Sequence, residues 1–138
     1  MTYYISSDKQ QLDIDKVHQA IKASYWGSYR SLEMTKTTIE QSMCFGVYSE
    51  TEGQLGFARV LTDKVVFAYI MDVIIFEPYQ GKGLGKKLIR YILDQPEINK
   101  VHTIALKTKD AHKLYDAFGF QKVGNSDMWM AMDKAKYN

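Results

Sequence analysis

Val65-Val66-Phe67-Ala68-Tyr69-Ile70-Met71-Asp72-Val73-Ile74-Ile75-Phe76, followed at once by Glu77-Pro78-Tyr79-Gln80-Gly81-Lys82-Gly83-Leu84-Gly85-Lys86-Lys87-Leu88, is the stretch that decides the architecture of this chain. Its first half is apolar at odd and even positions alike, which predicts a strand covered on both faces and therefore central in a sheet. Asp72 is the only charge inside that run. The second half changes period. Glycines at 81, 83 and 85 predict a tight turn, and Leu84, Leu88 and Ile92 recur at helical spacing. A strand that passes through a glycine turn into a helix leaves main-chain N–H groups pointing outward at a helix N-terminus, where the dipole favours an anion. Between Glu77 and Asp94 there is no carboxylate, whereas Lys82, Lys86, Lys87 and Arg90 are all basic. The segment predicts a phosphate-bearing ligand, against the plainer reading of an ordinary strand-to-helix loop. A Walker loop is excluded because no Lys-Ser/Thr pair follows the second glycine at its required spacing. The dinucleotide fingerprint is excluded because Lys86 stands where its third glycine belongs.

Upstream, 44–49 and 54–61 are rich in Val, Phe, Tyr and Leu and are set off by Glu52-Gly53 and Thr62-Asp63-Lys64. With 65–76 they predict a three-strand antiparallel meander. Earlier still, 2–6 predicts an opening strand. Ile14, Val17 and Ile21 predict a helix capped by Asp13 and ended by Gly27. Thr37-Thr38-Ile39-Glu40 fits a capping box and is expected within a second helix that runs to about Ser42. Downstream, 101–106 predicts a strand and 110–118 a short helix stopped by Gly119. Two closing strands are expected at 120–123 and 128–132, with Met128, Met130 and Met132 as core filler. The order is β-α-α-β-β-β-α-β-α-β-β, an α/β chain with a mixed sheet.

The 138 residues make one domain, 1–138, with no repeat and no linker. Eighteen basic and 16 acidic side chains leave +2, too little field to recruit nucleic acid or an acidic membrane. A 46% hydrophobic, 25% charged composition excludes disordered and fibrous classes. The lone Cys44 cannot close an internal disulfide, which fits a reducing compartment. No leader pattern opens the chain, and its longest apolar run is too short to span a bilayer. These features predict a cytoplasmic protein.

Gln80-x-x-Gly83-x-Gly85 resembles the acyl-coenzyme-A pyrophosphate loop of the GCN5-related N-acetyltransferases (GNAT). About thirty residues on, Ala111-His112-Lys113-Leu114-Tyr115-Asp116-Ala117-Phe118-Gly119-Phe120 resembles that family's second motif, a helix carrying Leu-Tyr and ending in Gly-Phe. The predicted element order matches the GNAT, or acyl-CoA N-acyltransferase, fold along essentially the whole chain. A bacterial subgroup of the family is similar through Ser24-Tyr25-Trp26, Gly56-Phe57-Ala58-Arg59, Thr62-Asp63 and Thr108-Lys109-Asp110-Ala111-His112.

The resemblance implies acetyl-CoA (coenzyme A) as acyl donor, no metal, and direct attack by a primary amine of a small molecule or peptide. It implies that Val73, Ile74 and Ile75 offer main-chain groups to pantetheine and the thioester. Gln80, Gly81, Lys82, Gly83, Leu84, Gly85 and Lys86 would hold the pyrophosphate. A backbone amide of the strand would polarise the carbonyl. Tyr115 falls where the family has its general acid, with a half-buried packing role as the alternative. Thr108 stands seven residues before it, where the family often has an asparagine that bonds the cofactor. Pro78 lies one place later than the family's usual proline, leaving Glu77 at that slot. For the base, Asp72 is a lone carboxylate whose burial would raise its pKa. Pairing with Arg59 is its structural alternative, and His112 or a water chain could serve instead. Tyr25, Trp26, Tyr29 and Arg30 cluster between the first two helices and are the candidate acceptor-binding residues, unless they only seal the core. A non-catalytic acyl-CoA-binding sensor is the rival function. Monomer and homodimer both remain open.

Overall fold

The structure is a computed structural model, and it describes residues 2–124 and 126–134. In chain order the elements are β1 (Tyr4–Ser6), α1 (Ile14–Ala23), α2 (Leu32–Gln41), β2 (Met43–Ser49), β3 (Gly53–Thr62), β4 (Phe67–Ile75), α3 (Leu84–Leu93), α4 (Pro96–Asn99), β5 (Thr103–Leu106) and α5 (His112–Asp116). Single 3₁₀ turns at Lys9–Gln11 and Glu77–Tyr79 join them. The five strands lie in sequence order. The first three pairings are antiparallel and β4–β5 is parallel, so the sheet is mixed as expected.

Alternation along the strands explains why the central ones are apolar on both faces. Phe45, Ala58, Val73 and Ile75 pack with Leu88, Ile89 and Ile92 of α3 on one side. Their neighbours Cys44, Phe57 and Ile74 pack with Val17, Ile21 and Ile39 of α1 and α2 on the other. Successive side chains point to opposite faces, so both layers of helix find an apolar surface. In α3 the 3.6-residue period buries Leu84, Leu88, Ile89 and Ile92 while Lys86, Lys87 and Arg90 stay in water.

Several boundaries differ from the sequence expectation. Asp13 caps α1 as predicted, its carboxylate accepting from the Lys16 amide. That helix ends at Ala23, four residues before Gly27. The Ser24 hydroxyl donates to the Ile21 carbonyl at 2.6 Å and accepts from the Gly27 amide at 3.0 Å, which closes the helix without glycine. Gly27 is required by space instead: a Cβ there would lie 2.5 Å from Ile21 Cγ2. The second helix opens at Ser31, whose hydroxyl accepts from the Met34 amide at 3.2 Å. The expected capping box lies in its interior. There Thr37 and Thr38 bond back to the carbonyls of Glu33 and Thr35.

The two closing strands do not form. Among the described residues of 120–134 there is no sheet ladder, and Met128, Met130 and Met132 are 87%, 93% and 82% exposed rather than core filler. An alternating pattern becomes a strand only where a neighbour supplies both hydrogen bonds and a face to bury. The segment is tied instead by side chains. Lys107 meets Asp133 at 2.7 Å, and the Trp129 ring lies 6.4 Å from that of Phe67.

Candidate active site

The site begins with an irregularity in β4. Pairing with β3 runs Phe57↔Ile74 and then Arg59↔Met71, so Ala58 faces two residues, Asp72 and Val73. This is a β-bulge, and Asp72 takes its left-handed conformation at φ 53. Asp tolerates that region better than most residues, although it still costs on the order of 1 kcal/mol. Beyond the bulge the two central strands part. The β4–β5 ladder ends at Ile70↔Leu106, yet β4 continues to Ile75. One main-chain edge of 71–75 therefore has no strand beside it. The Phe76 amide donates to Leu55 on β3 at 2.9 Å, and the two-residue period puts Ile74 on that same edge. Val73 and Ile75 consequently turn their main chains to the open side. Ile74 does not, contrary to expectation. The Ile75 carbonyl is taken by the Gln80 side-chain amide at 2.8 Å, so Gln80 braces the strand end.

The glycine turn follows. Gly81 and Gly83 hold φ of 81 and 80, and a Cβ on either would meet nothing within 4 Å. Both the sign of φ and the open space keep the backbone accessible. Among the described residues, no protein acceptor meets the main-chain N–H groups of 81–86. Gly83 caps α3 without any side-chain bond, and no acid occupies its first turn. Lys82, Lys86 and Lys87 adjoin these donors in sequence and are exposed, the Lys87 ammonium lying 5.0 Å from the Tyr3 ring centroid, while Leu84 is buried beneath. A Cβ on Gly85 would lie 3.8 Å from Ile75 Cγ1, so the cradle adjoins the open strand edge.

Where β4 and β5 separate, a cleft of about 200 Å³ opens. Asp72, Val73, Thr108 and Tyr115 line it together with Tyr25, Trp26, Tyr29 and Arg30, so candidates from four separate segments meet at one place. Asp72 is the hub. Its Oδ2 accepts from Arg30 Nη1 and Arg59 Nε, each at 2.7 Å, and its Oδ1 accepts from Trp26 Nε1 at 2.7 Å. Burial pushes this carboxyl up, but hydrogen bonds from Arg30 and Arg59 and their charges outweigh burial and hold it below the usual carboxylate range. The expected rise in its pKa is thus reversed. A carboxylate with one oxygen held by two guanidinium groups and the other by an indole N–H is a poor proton acceptor. Arg59, anticipated as the partner, is joined by Arg30 and Trp26, which were expected either to bind the acceptor or to seal the core, not to hold this carboxylate.

Tyr115 is buried beneath α5 with its ring edge-on to Phe120 at 5.8 Å. Burial and the nearby Asp110 charge raise its pKa, so the phenol keeps its proton at neutral pH. Thr108 accepts from the Ala111 amide at 3.0 Å and supports the start of α5. His112 is half-buried and lies outside the cleft lining. The sequence reading missed Tyr69, Ile70, Met71, Leu106, Lys107, Asp110 and Ala111 of the lining. Tyr69, Met71 and Val73 share a two-residue spacing along β4, a signal hidden by the continuous apolar run.

A sheet split beside a bulged central strand, with a glycine cradle at that strand's end, defines the class to which the comparisons point. A family profile described as an acetyltransferase (GNAT) domain matches residues 40–122, and the chain belongs to the GNAT family. A crystal structure of a GNAT-family protein from Xanthomonas campestris superposes with a TM-score of 0.87 at 30% identity, covering 96% of this chain and 94% of that one. The ycf52-like N-acetyltransferase of Prochlorococcus marinus is 34% identical over 94 residues, 65% of this chain and 52% of that protein. The acetyltransferase-named FG08082 of Gibberella zeae is 28% identical over 109 residues, 65% and 62% of the two chains. The chain therefore spans between half and two thirds of these two relatives.

Proposed function

We propose that the protein is an acetyl-CoA-dependent N-acetyltransferase that acts on a primary amine of a small molecule or peptide. One observation carries this reading. The unbonded N–H groups of 81–86 lead, along the open edge of Val73 and Ile75, to a cleft that contains a protonated tyrosine. The cradle fits a diphosphate: donors at a helix N-terminus, glycines without Cβ, and lysines around them.

Bound acetyl-CoA supplies an activated acyl thioester. The amide and carbonyl of Val73 would then orient the pantetheine arm, and a strand amide would donate to the thioester oxygen. The amine nitrogen forms one bond to the acyl carbon while the carbon–sulfur bond breaks and its electron pair goes to sulfur. The nitrogen loses one proton and the sulfur gains one. Tyr115 would donate a hydrogen bond to the departing sulfur. Its phenol starts near pKa 10 and is raised further, against about 8.5 for a simple thiol. Full proton transfer from it is therefore uphill by about 2 kcal/mol or more, so the hydrogen bond is its main contribution. Asp72 is a positioning residue here: it fixes Trp26 and Arg30 and leaves the amine's proton to water at the cleft mouth.

The test measures free thiol released from acetyl-CoA with and without added amines. Amine-dependent release is expected. Tyr115→Phe is expected to slow it by about 10- to 100-fold with coenzyme A affinity within about twofold. Tight coenzyme A binding with no release for any amine would favour a non-catalytic sensor. Residues 1–138 acting as one domain in a reducing cytoplasm complete the proposal.

A further inference from the structure

We propose that the acceptor carries a carboxylate beside its amine and that Arg30 receives this carboxylate; the inference rests on the acetyl-transfer reading. Arg30 and Arg59 share a single oxygen of a single carboxylate, Asp72 Oδ2. Among the described residues no second carboxylate lies within ion-pair distance of either guanidinium. The cluster thus holds one positive charge more than it neutralises, at a depth where the Asp72 side chain is 1% and the Arg30 side chain 11% exposed. Unbalanced charge at such depth is unfavourable, and an anionic ligand group relieves it.

The excess is concentrated on one of the two arginines. Arg59 is committed inside the protein, with Nε on Asp72, Nη1 on the Ser42 hydroxyl at 3.0 Å and Nη2 against Met71 Sδ at 3.6 Å. Arg30 gives Nη1 to Asp72, holds its guanidinium carbon 5.8 Å from the Tyr29 ring centroid, and lines the cleft. A guanidinium has five N–H donors in a planar fork, a shape that matches a carboxylate with two parallel bonds. Asp72 holds that fork in place, so little ordering is left for binding to achieve. Lys107 at the rim is already paired with Asp133, and exposed Asp110 stands toward Tyr115 without reaching Arg30.

Size and wall chemistry narrow the body of the acceptor. About 200 Å³ is below the 300–1,000 Å³ of a drug-sized site, and the cleft must also admit the acyl thioester beside Tyr115, so the acceptor it suits is small. Tyr25 and Trp26 meet edge-to-face at 5.0 Å, and Asp72 pins the indole N–H. They form an aromatic wall for a short carbon chain, with the Lys109 ammonium 5.0 Å from the Tyr25 ring centroid. In the transfer the amine nitrogen gains the acyl carbon, the thiol leaves with one proton, and the carboxylate passes unchanged into an N-acetylamino acid.

The experiment compares β-alanine and L-phenylalanine with their amides and with the amines lacking the carboxylate, in wild type and Arg30→Gln. Thiol release is followed for each. In wild type the acids are expected to exceed their amides by about 10- to 100-fold in kcat/KM, the range of a hydrogen bond to a charged partner. In Arg30→Gln the ratio is expected to fall to about one. Equal rates for acids and amides in wild type would overturn the proposal, and that comparison needs no variant to fold. Faster transfer to 2-aminoethyl phosphate than to β-alanine would overturn it as well. Trp26 fluorescence in a Trp129→Phe background gives a readout independent of turnover. If no acceptor releases thiol but the acids alone change that fluorescence, the carboxylate site stands and the transferase reading fails. If acids and amides change it alike, the carboxylate site fails.

Discussion

At Asp72 two unfavourable conditions coincide, a left-handed backbone and a charge under the surface, and both are compensated by the same neighbours. Arg30, Arg59 and Trp26 supply three donors that burial would otherwise deny it. Asn accepts the left-handed region as readily as Asp, so Asp72→Asn changes the charge without adding backbone strain. Leaving two guanidinium groups unpaired is expected to cost about 3–5 kcal/mol near pH 7 in urea unfolding. The pH dependence has a definite sign. Because the folded pKa is held below its unfolded value of about 3.9, this contribution is complete above about pH 4 and is lost as pH falls through the folded value. The gap between wild type and variant should therefore narrow on acidification. A gap that widened would contradict the ion-pair account. Asp72 was visible in the sequence as the only charge in an apolar run, but its chemistry was not. Burial follows from local pattern, whereas the approach of Arg30, 42 residues away, follows only from the closed fold.

Among the elements, β2, β3 and β4 were legible because period and turn residues agreed, and α3 was legible because its glycines and apolar spacing did. The start of α2 was less so: Ser31 and Thr37 both offer a hydroxyl, and only the backbone path selects between them. The residues of 128–132 alternate like a strand, yet alternation does not specify a partner. The turn before α3 gives the prediction that belongs to this scale. Gly83→Asp places a carboxylate among the open amides without requiring the helix to move. At φ 80 the strain is on the order of 1 kcal/mol, partly offset by favourable charge at the helix N-terminus. The thermal midpoint should shift by only a few degrees, whereas coenzyme A affinity measured by titration calorimetry should drop by about 30- to 100-fold. Unchanged affinity would show that the turn is only a connection.

For the molecule as a whole, the consequence lies in the parting of β4 from β5. A sheet ordinarily fills every gap between its strands; here residues 71–75 keep β3 on one edge but have no strand on the β5 side, and the main chain of Val73 faces that open side. On the proposed function, a cofactor arm lying in that furrow would act as a guest rung of the ladder, and catalysis and architecture would draw on the same bonds. Heating should reveal it: with coenzyme A at a hundred times its dissociation constant the unfolding free energy rises by about 2.7 kcal/mol, and hydrogen exchange should slow chiefly along 71–75. Protection confined to the glycine turn would mean the furrow stays vacant. Protection along 71–75 would make the protein an arch left one stone short, with its own reagent as the stone.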